Sequence, residues 1–162
     1  MQGNMEIPGR EETYREELYD SLDTKYETSD LDVSTLSRLY KREHSRILLT
    51  DTEYLGIVDQ RSITPESLEQ SLTELMGLIS ARTGVLEALS NEPYVIILGI
   101  TNEISTSTRE FMNNDATEHD RKYPFDIYIV DVGAGTILGT GRKYAPGHGE
   151  TLKKNHLSEP LN

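Results

Sequence analysis

Residues 64–100 read TPESLEQSLTELMGLISARTGVLEALSNEPYVIILGI and carry the strongest structural signals in the chain. Thr64 is a favourable N-cap, Pro65 suits the first helical position, and Gly84 suits the residue after a helix end. Between them, apolar residues recur at helical spacing: Leu68, Leu72, Leu75, Met76 and Ile79. Residues 94–100 are apolar at every position except one glycine, which is typical of a strand buried on both faces. The sequence therefore predicts a long amphipathic helix that packs on a sheet.

Shorter patterns outside this segment predict the remaining elements. Residues 47–49 and 54–58 are two apolar runs separated by four polar residues, which is the pattern of a β-hairpin. Large apolar residues alternate along residues 125–131, as in a strand with one face in the core. Residues 136–141 follow a glycine-containing turn and are predicted to pair with that strand as a hairpin. A serine N-cap and apolar residues on one side predict a short helix over about 35–44.

The predicted order after the short helix is β-β-α-β-β-β. Strands joined by short turns pair antiparallel, whereas a helical connection can carry the chain across the sheet. We therefore predict an α+β fold with a five-stranded, mostly antiparallel sheet and one long amphipathic helix packed on it. This order resembles that of PAS, GAF, longin, roadblock and profilin-like domains, and the resemblance concerns topology alone.

The charge of the chain is unevenly distributed. The protein has 162 residues and a net charge of −12, and residues 1–32 contain ten acidic and three basic residues. Three apolar residues recur there at the spacing of one helix face: Tyr14, Leu18 and Leu22. We predict that residues 1–32 form an acidic arm, either partly disordered or folded as a short docking helix. Residues 33–144 are predicted to be a single domain and residues 145–162 a polar tail.

Composition excludes or disfavours several classes of protein. The absence of cysteine excludes disulfides, a thiol nucleophile and cysteine-ligated metal sites. The acidic balance disfavours nucleic-acid binding, because phosphates would be repelled. No apolar run is long enough to span a bilayer, and the first residues lack the pattern of a signal peptide. We therefore expect a cytoplasmic protein that does not bind membranes.

One glycine-containing turn is a candidate ligand site. The segment 131–136, DVGAGT, follows a predicted strand and locally resembles the phosphate-binding hairpin of the actin and sugar-kinase ATPases. That resemblance implies backbone N–H groups that approach phosphate oxygens. Basic residues and a histidine follow the turn, and together they predict an anion- or ligand-binding site: Gly133, Gly135, Thr136, Arg142, Lys143 and His148. The alternative is an ordinary hairpin turn, in which glycine supplies a positive φ.

No pattern assigns a catalytic centre. The segment 113–120 is rich in oxygen ligands but lacks the spacing of a calcium loop. The chain contains no zinc-binding histidine pair and no Gly-x-Ser-x-Gly nucleophile elbow. We therefore assign no catalytic residue, no metal ligand and no cofactor, and we leave open whether the protein is an enzyme, although the sequence disfavours it.

The favoured function is that of a non-enzymatic regulatory or protein-interaction module. An acidic adaptor, an inhibitor or immunity-type protein and an assembly protein all fit this description. The expected partner is a protein, and a basic partner surface and a homodimer are both open. The first alternative is a small-ligand sensor for a nucleotide or another anion, and the second is a small hydrolase that uses His119 or His148.

Overall fold

The computed structural model describes residues 10–45, 50–83, 91–115, 121–140 and 153–157. The helical elements are α1 (Arg10–Lys25), α2 (Pro65–Arg82), α3 (Thr106–Glu110), a π-helical turn that continues α3 (Phe111–Asp115) and a π-helical C-terminal segment (Lys153–Leu157). The strands are β1 (Glu27–Thr28), β2 (Arg38–Ser45), β3 (Thr50–Asp59), β4 (Asn91–Thr101), β5 (Phe125–Asp131) and β6 (Thr136–Gly139).

The six strands form one mixed sheet in which they lie side by side in chain order. The pairs β1–β2, β2–β3 and β5–β6 are antiparallel, and the pairs β3–β4 and β4–β5 are parallel. The predicted α+β class is confirmed. The sheet has six strands of mixed direction rather than five that are mostly antiparallel, and three helices accompany it rather than one. The mixed direction arises because the connections that contain α2 and α3 each return the chain to the starting end of the sheet, so the next strand is parallel to the last. The additional strands are β1 and β2, which lie before β3 in the chain.

The short helix predicted over residues 35–44 is wrong. This part of the chain contains β2, whose full length pairs with β3, from Arg38 opposite Ile57 to Ser45 opposite Thr50. The same apolar residues that fit one side of a helix also fit a strand, since Leu39 and Tyr40 are buried in different core clusters. Pairing with a neighbouring strand therefore overrides the local preference. The predicted strand at 47–49 lies outside the described residues.

One face of the sheet packs against α2 and α3. All five apolar residues of the predicted α2 stripe are buried, and they join residues of β4 and β5 in one cluster. The helix begins with a reciprocal cap, in which the Ser67 N–H donates to Thr64 Oγ1 at 3.1 Å and the Thr64 N–H donates to Ser67 Oγ at 3.2 Å. From Pro93 to Ile100, β4 is buried without interruption. This face holds the larger part of the apolar core.

The other face packs against α1 and the C-terminal segment. Tyr14, Leu18 and Leu22 are at most 2% exposed and lie in a cluster with residues of β2 to β5. Leu157 is fully buried in the same cluster, and its carbonyl oxygen accepts a hydrogen bond of 3.4 Å from the Tyr14 hydroxyl. The division of the chain at residues 32 and 144 stays a prediction. Among the described residues, no helix is long and apolar enough to cross a membrane.

Candidate functional site

A cleft lies at the β1–β2 edge of the sheet, where the loop 29–37 folds back over the start of β2. Three backbone hydrogen bonds hold the loop: Ser29 N–H to Leu39 O at 2.9 Å, Leu36 N–H to Val33 O at 3.1 Å, and Ser37 N–H to Ile57 O at 2.8 Å. The cleft has a volume of about 390 Å³. It is lined by Thr28, Ser29, Leu31, Asp32, Val33, Leu36, Ser37, Arg38, Leu39 and Tyr40. We call it the edge cleft.

The floor of the edge cleft is apolar. Val33 and Leu39 are buried in the core cluster beneath α2, and Leu31 and Leu36 are half-buried against the same cluster. Leu36 lies directly on the sheet, because a Cβ atom at Gly56 would come within 2.8 Å of Leu36 Cδ1. The absence of a side chain at Gly56 therefore lets this part of the loop pack closely. The floor of the cleft is thus an extension of the core to the surface.

The lining of the edge cleft contains one exposed carboxylate, and two more lie nearby in the sequence. Asp32 lines the cleft, and the neighbouring Glu27 and Asp30 are also exposed. The Arg82 guanidinium donates a hydrogen bond to the Asp30 carboxylate, and this contact lowers the pKa of Asp30. The basic residue in the lining is Arg38, so the net charge of the lining depends on which groups pair with its guanidinium.

Arg38 is exposed, and its guanidinium contacts side chains of α1 and β2. Its guanidinium carbon lies 3.8 Å from the centroid of the Tyr19 ring, and its Nη1 atom donates to the Tyr40 hydroxyl at 2.9 Å. The same nitrogen is 3.7 Å from Asp23 Oδ1, which also accepts a hydrogen bond of 2.8 Å from the Tyr40 hydroxyl. Asp23 on α1 pairs with this cation, whereas the Asp32 carboxylate in the cleft lining forms no ion pair with any described residue.

An acidic surface on α1 leads up to the cleft. Five carboxylates are exposed along the outer side of this helix: Glu12, Glu16, Glu17, Asp20 and Asp23. We call them the acidic ridge. The first four form no ion pair with any other described residue. The fifth accepts a hydrogen bond from Tyr40, a residue of the cleft lining that is 2% exposed, so the contact between α1 and the cleft lining is internal.

The predicted anion site is only partly within the described residues. Gly133 and Gly135 lie in the turn between β5 and β6, and Thr136 is the first residue of β6. Arg142, Lys143 and His148 lie outside the described residues. The anion site therefore stays a prediction.

The turn uses several of its backbone donors internally. The Ala134 N–H donates to Asp131 Oδ1 at 2.9 Å, and the Gly135 N–H donates to Asp131 O at 2.8 Å. Gly135 has a φ of 70°, the left-handed conformation that favours glycine. A Cβ atom at Gly133 would lie 2.6 Å from the backbone oxygen of Asn102, so this glycine permits a close approach of two backbone segments. Both glycines thus have a structural role in the turn, independent of any bound ligand.

A buried cluster of carboxylates and tyrosines lies on the α1 side of the sheet, and sequence reasoning missed it. Glu53 on β3 and Asp126 on β5 are each 2% exposed. The Tyr26 hydroxyl donates to Glu53, and the Tyr94 hydroxyl donates to Asp126. Burial, followed by the partner carboxylate, raises the pKa of both tyrosines far above the ordinary value.

The hydrogen bonds of this cluster indicate that it stabilises the fold. Asp126 also accepts a hydrogen bond of 2.7 Å from the Thr140 hydroxyl, so two hydroxyl groups satisfy this buried carboxyl group. The sequence signal was weak, because one acidic residue inside an apolar strand does not identify its partner on another strand. Among the described residues, no group of three acidic or histidine side chains could hold a metal ion.

Comparison with known proteins gives no family for this chain. No protein-family model, no curated protein and no solved structure matches it.

Proposed function

We propose that this protein is a non-enzymatic interaction module that binds the basic surface of a protein partner at the edge cleft. The observation that supports the proposal is a cleft with an apolar floor and an exposed carboxylate, Asp32, in its lining, in a protein whose helix α1 carries the acidic ridge. Protein interfaces commonly combine a desolvated apolar centre, in which a few anchor side chains are buried, with a polar rim. The edge cleft and its surroundings have this composition.

The chemistry of the cleft defines the side chain that fits it. Arginine and lysine lay their methylene chains along apolar surface while the charged end stays in a polar environment. In the edge cleft, the methylene chain would contact Leu36 and Leu39, and the charged end would reach Asp32. A volume of about 390 Å³ accommodates one or two such side chains. We therefore propose an arginine or lysine of the partner as the anchor.

The acidic ridge adds long-range attraction to this local recognition. Glu12, Glu16 and Asp20 follow each other at i, i+4 spacing, at which like charges destabilise a helix by about 0.2–0.5 kcal/mol per pair. A basic partner would remove this repulsion on binding. Exposed charges of one sign also accelerate association with an oppositely charged surface, and salt weakens this effect.

Site-specific photo-crosslinking in cells that express the protein tests the proposal. A benzophenone amino acid in place of Ser37, on the rim of the cleft, should crosslink one discrete basic protein. The same amino acid in place of Glu110, which is exposed on α3, is the matched control and should not give this product. The substitution Asp32→Lys should abolish the crosslink from position 37, whereas Glu110→Lys should leave it unchanged.

The crosslinking experiment has clear contrary outcomes. An identical product from positions 37 and 110 would show that the capture does not depend on the cleft. A crosslink from position 37 that survives Asp32→Lys would show that the acidic rim does not recognise the partner. Either result would overturn the proposal.

A further inference from the structure

The loop 29–37, whose residues line the edge cleft, is attached to α2 at two points. The Ser71 hydroxyl, on the buried side of the helix, donates to Thr35 Oγ1 at 2.7 Å. The Arg82 guanidinium, in the last turn of the helix, donates to the Asp30 carboxylate. These two helix positions are about 16 Å apart along the helix axis. The helix α2 therefore holds each half of the loop separately.

The second half of the loop is anchored in the core. Val33 is buried, and Leu36 packs closely against Gly56. The Ser37 N–H donates to Ile57 O at 2.8 Å, which attaches the end of the loop to β3. These contacts are made by buried apolar side chains and by backbone groups. The position of this half of the loop therefore does not depend on surface charge.

The first half of the loop depends on a surface ion pair. The side chains of Arg82 and Asp30 are 56% and 77% exposed, and the guanidinium holds the pKa of the Asp30 carboxyl below its usual range. Lys41 on β2 adds a smaller electrostatic attraction to Asp30. Among the described residues, no other side chain outside the loop forms a hydrogen bond or an ion pair with residues 30–32.

The two residues that follow Asp30 both line the edge cleft. Leu31 is half-buried against the core cluster beneath α2, and Asp32 is exposed. Because they are the next residues in the chain, a displacement of Asp30 displaces them as well. The apolar floor at Leu36 and Leu39 is fixed by its own contacts with the core. The ion pair therefore acts on one side of the cleft.

We propose that Arg82 is a positioning residue for the edge cleft. By pairing with Asp30 it holds Leu31 and Asp32 in the cleft lining, and loss of the pair opens this side of the cleft. The consequence for recognition of a partner rests on the function proposed above, whereas the opening itself does not. An exposed ion pair contributes little energy, so its loss should raise the population of the open loop about two- to fivefold without unfolding the protein.

Thiol labelling tests the inference, because the chain contains no cysteine. In Leu31→Cys, the single thiol is half-buried while the loop is closed, so its reaction with an uncharged alkylating reagent measures how often the loop opens. Adding Arg82→Gln should raise the labelling rate about two- to fivefold, while the melting temperature stays close to that of Leu31→Cys alone. Added salt screens the pair, so it should raise the rate in Leu31→Cys and have no effect once Arg82→Gln is present.

The substitution Asp30→Asn separates loss of the pair from a change in the local electric field. A nearby cation favours the reactive thiolate and a nearby anion disfavours it, so field effects would change the labelling rate in opposite directions in Arg82→Gln and Asp30→Asn. Loss of the pair should instead accelerate labelling in both variants. The charge exchange Asp30→Arg with Arg82→Asp should restore the slow rate.

Two matched controls complete the experiment. Leu36→Cys places the thiol at a half-buried position in the anchored half of the loop, where Arg82→Gln should have no effect on labelling. Arg121→Gln removes an arginine that donates to Thr73 elsewhere on α2, and it should leave the Leu31→Cys rate unchanged.

The contrary outcomes do not involve a partner, so they are independent of the crosslinking result. An unchanged Leu31→Cys rate in Arg82→Gln would overturn the inference. The same holds for an equal response at positions 31 and 36, for opposite responses to Arg82→Gln and Asp30→Asn, and for a charge exchange that leaves labelling fast.

Discussion

At the scale of single residues, the buried carboxylates depend on the tyrosines that donate to them. Asp126 accepts hydrogen bonds from Tyr94 and from Thr140 on the α1 side of the sheet. A buried acceptor that loses a partner costs about 1–3 kcal/mol, because water cannot replace the missing donor.

Tyr94→Phe should therefore lower the free energy of unfolding by about 1–3 kcal/mol, measured by urea denaturation. Tyr26→Phe should have a similar effect through Glu53. The matched control is Tyr123→Phe, because Tyr123 is half-exposed and its hydroxyl bonds to no described residue. Equal stability of all three variants would show that the two buried bonds contribute nothing.

The tyrosines also predict the response to alkaline pH. Burial, with a further contribution from Asp59, raises the pKa of Tyr19 from 10.0 to about 12. Burial raises the pKa of Tyr14 still further. A raised pKa in the folded protein means that folding favours the neutral hydroxyl. The resulting stabilisation is complete below pH 10 and is lost as the pH rises through 12.

We therefore expect the free energy of unfolding to fall steeply from pH 10 upward. Tyrosinate absorbance should increase in step with the loss of circular dichroism. Normal titration of all nine tyrosines in the folded protein, near pH 10, would contradict this expectation.

At the scale of elements, α2 combines a buried stripe with an exposed side that tolerates change. Leu72 is 1% exposed in the core, and Leu72→Ala should cost about 2–5 kcal/mol because it leaves a cavity. On the exposed side, a Cβ atom at Gly77 would have no neighbour within 4 Å.

Gly77→Ala should consequently stabilise the protein by about 0.5–1 kcal/mol, since alanine has the higher helix propensity. Thermal and urea denaturation of the two variants together test the orientation of α2. If Gly77→Ala destabilised the protein and Leu72→Ala did not, the helix would present the opposite side to the sheet.

At the scale of the whole molecule, α1 completes the core. Three large side chains of this helix, Tyr14, Leu18 and Leu22, are buried, and each such side chain contributes about 1.5–3 kcal/mol. The total stability of a domain is about 5–15 kcal/mol.

A variant that lacks residues 1–25 should therefore fail to fold cooperatively, as measured by thermal unfolding and by resistance to proteolysis. Leu18→Ala in the full chain is a less disruptive variant, and it should fold with reduced stability. A truncated variant that melts as sharply as the full chain would show instead that the sheet and α2 fold without α1.

Local sequence was sufficient to predict an element and its buried face where neighbouring residues specify that element. The cap at Thr64, the stripe of α2 and the uninterrupted apolar run of β4 each lie within one segment, so their burial was predictable. The acidic character of residues 1–32 was equally visible, and it makes up much of the candidate surface.

The tertiary structure decided the strand pairing, the buried hydrogen bonds and the cleft, because each of them depends on residues that are far apart in the chain. β2 is a strand because β3 pairs with it, and β4 lies parallel to β3 because α2 returns the chain across the sheet. Glu53 and Asp126 meet tyrosines from other parts of the chain, and the edge cleft exists only once the loop 29–37 folds over β2. Hydrophobic periodicity fixes which side of a segment is buried, but the pairing of strands and the meeting of charges follow from contacts between segments far apart in the chain.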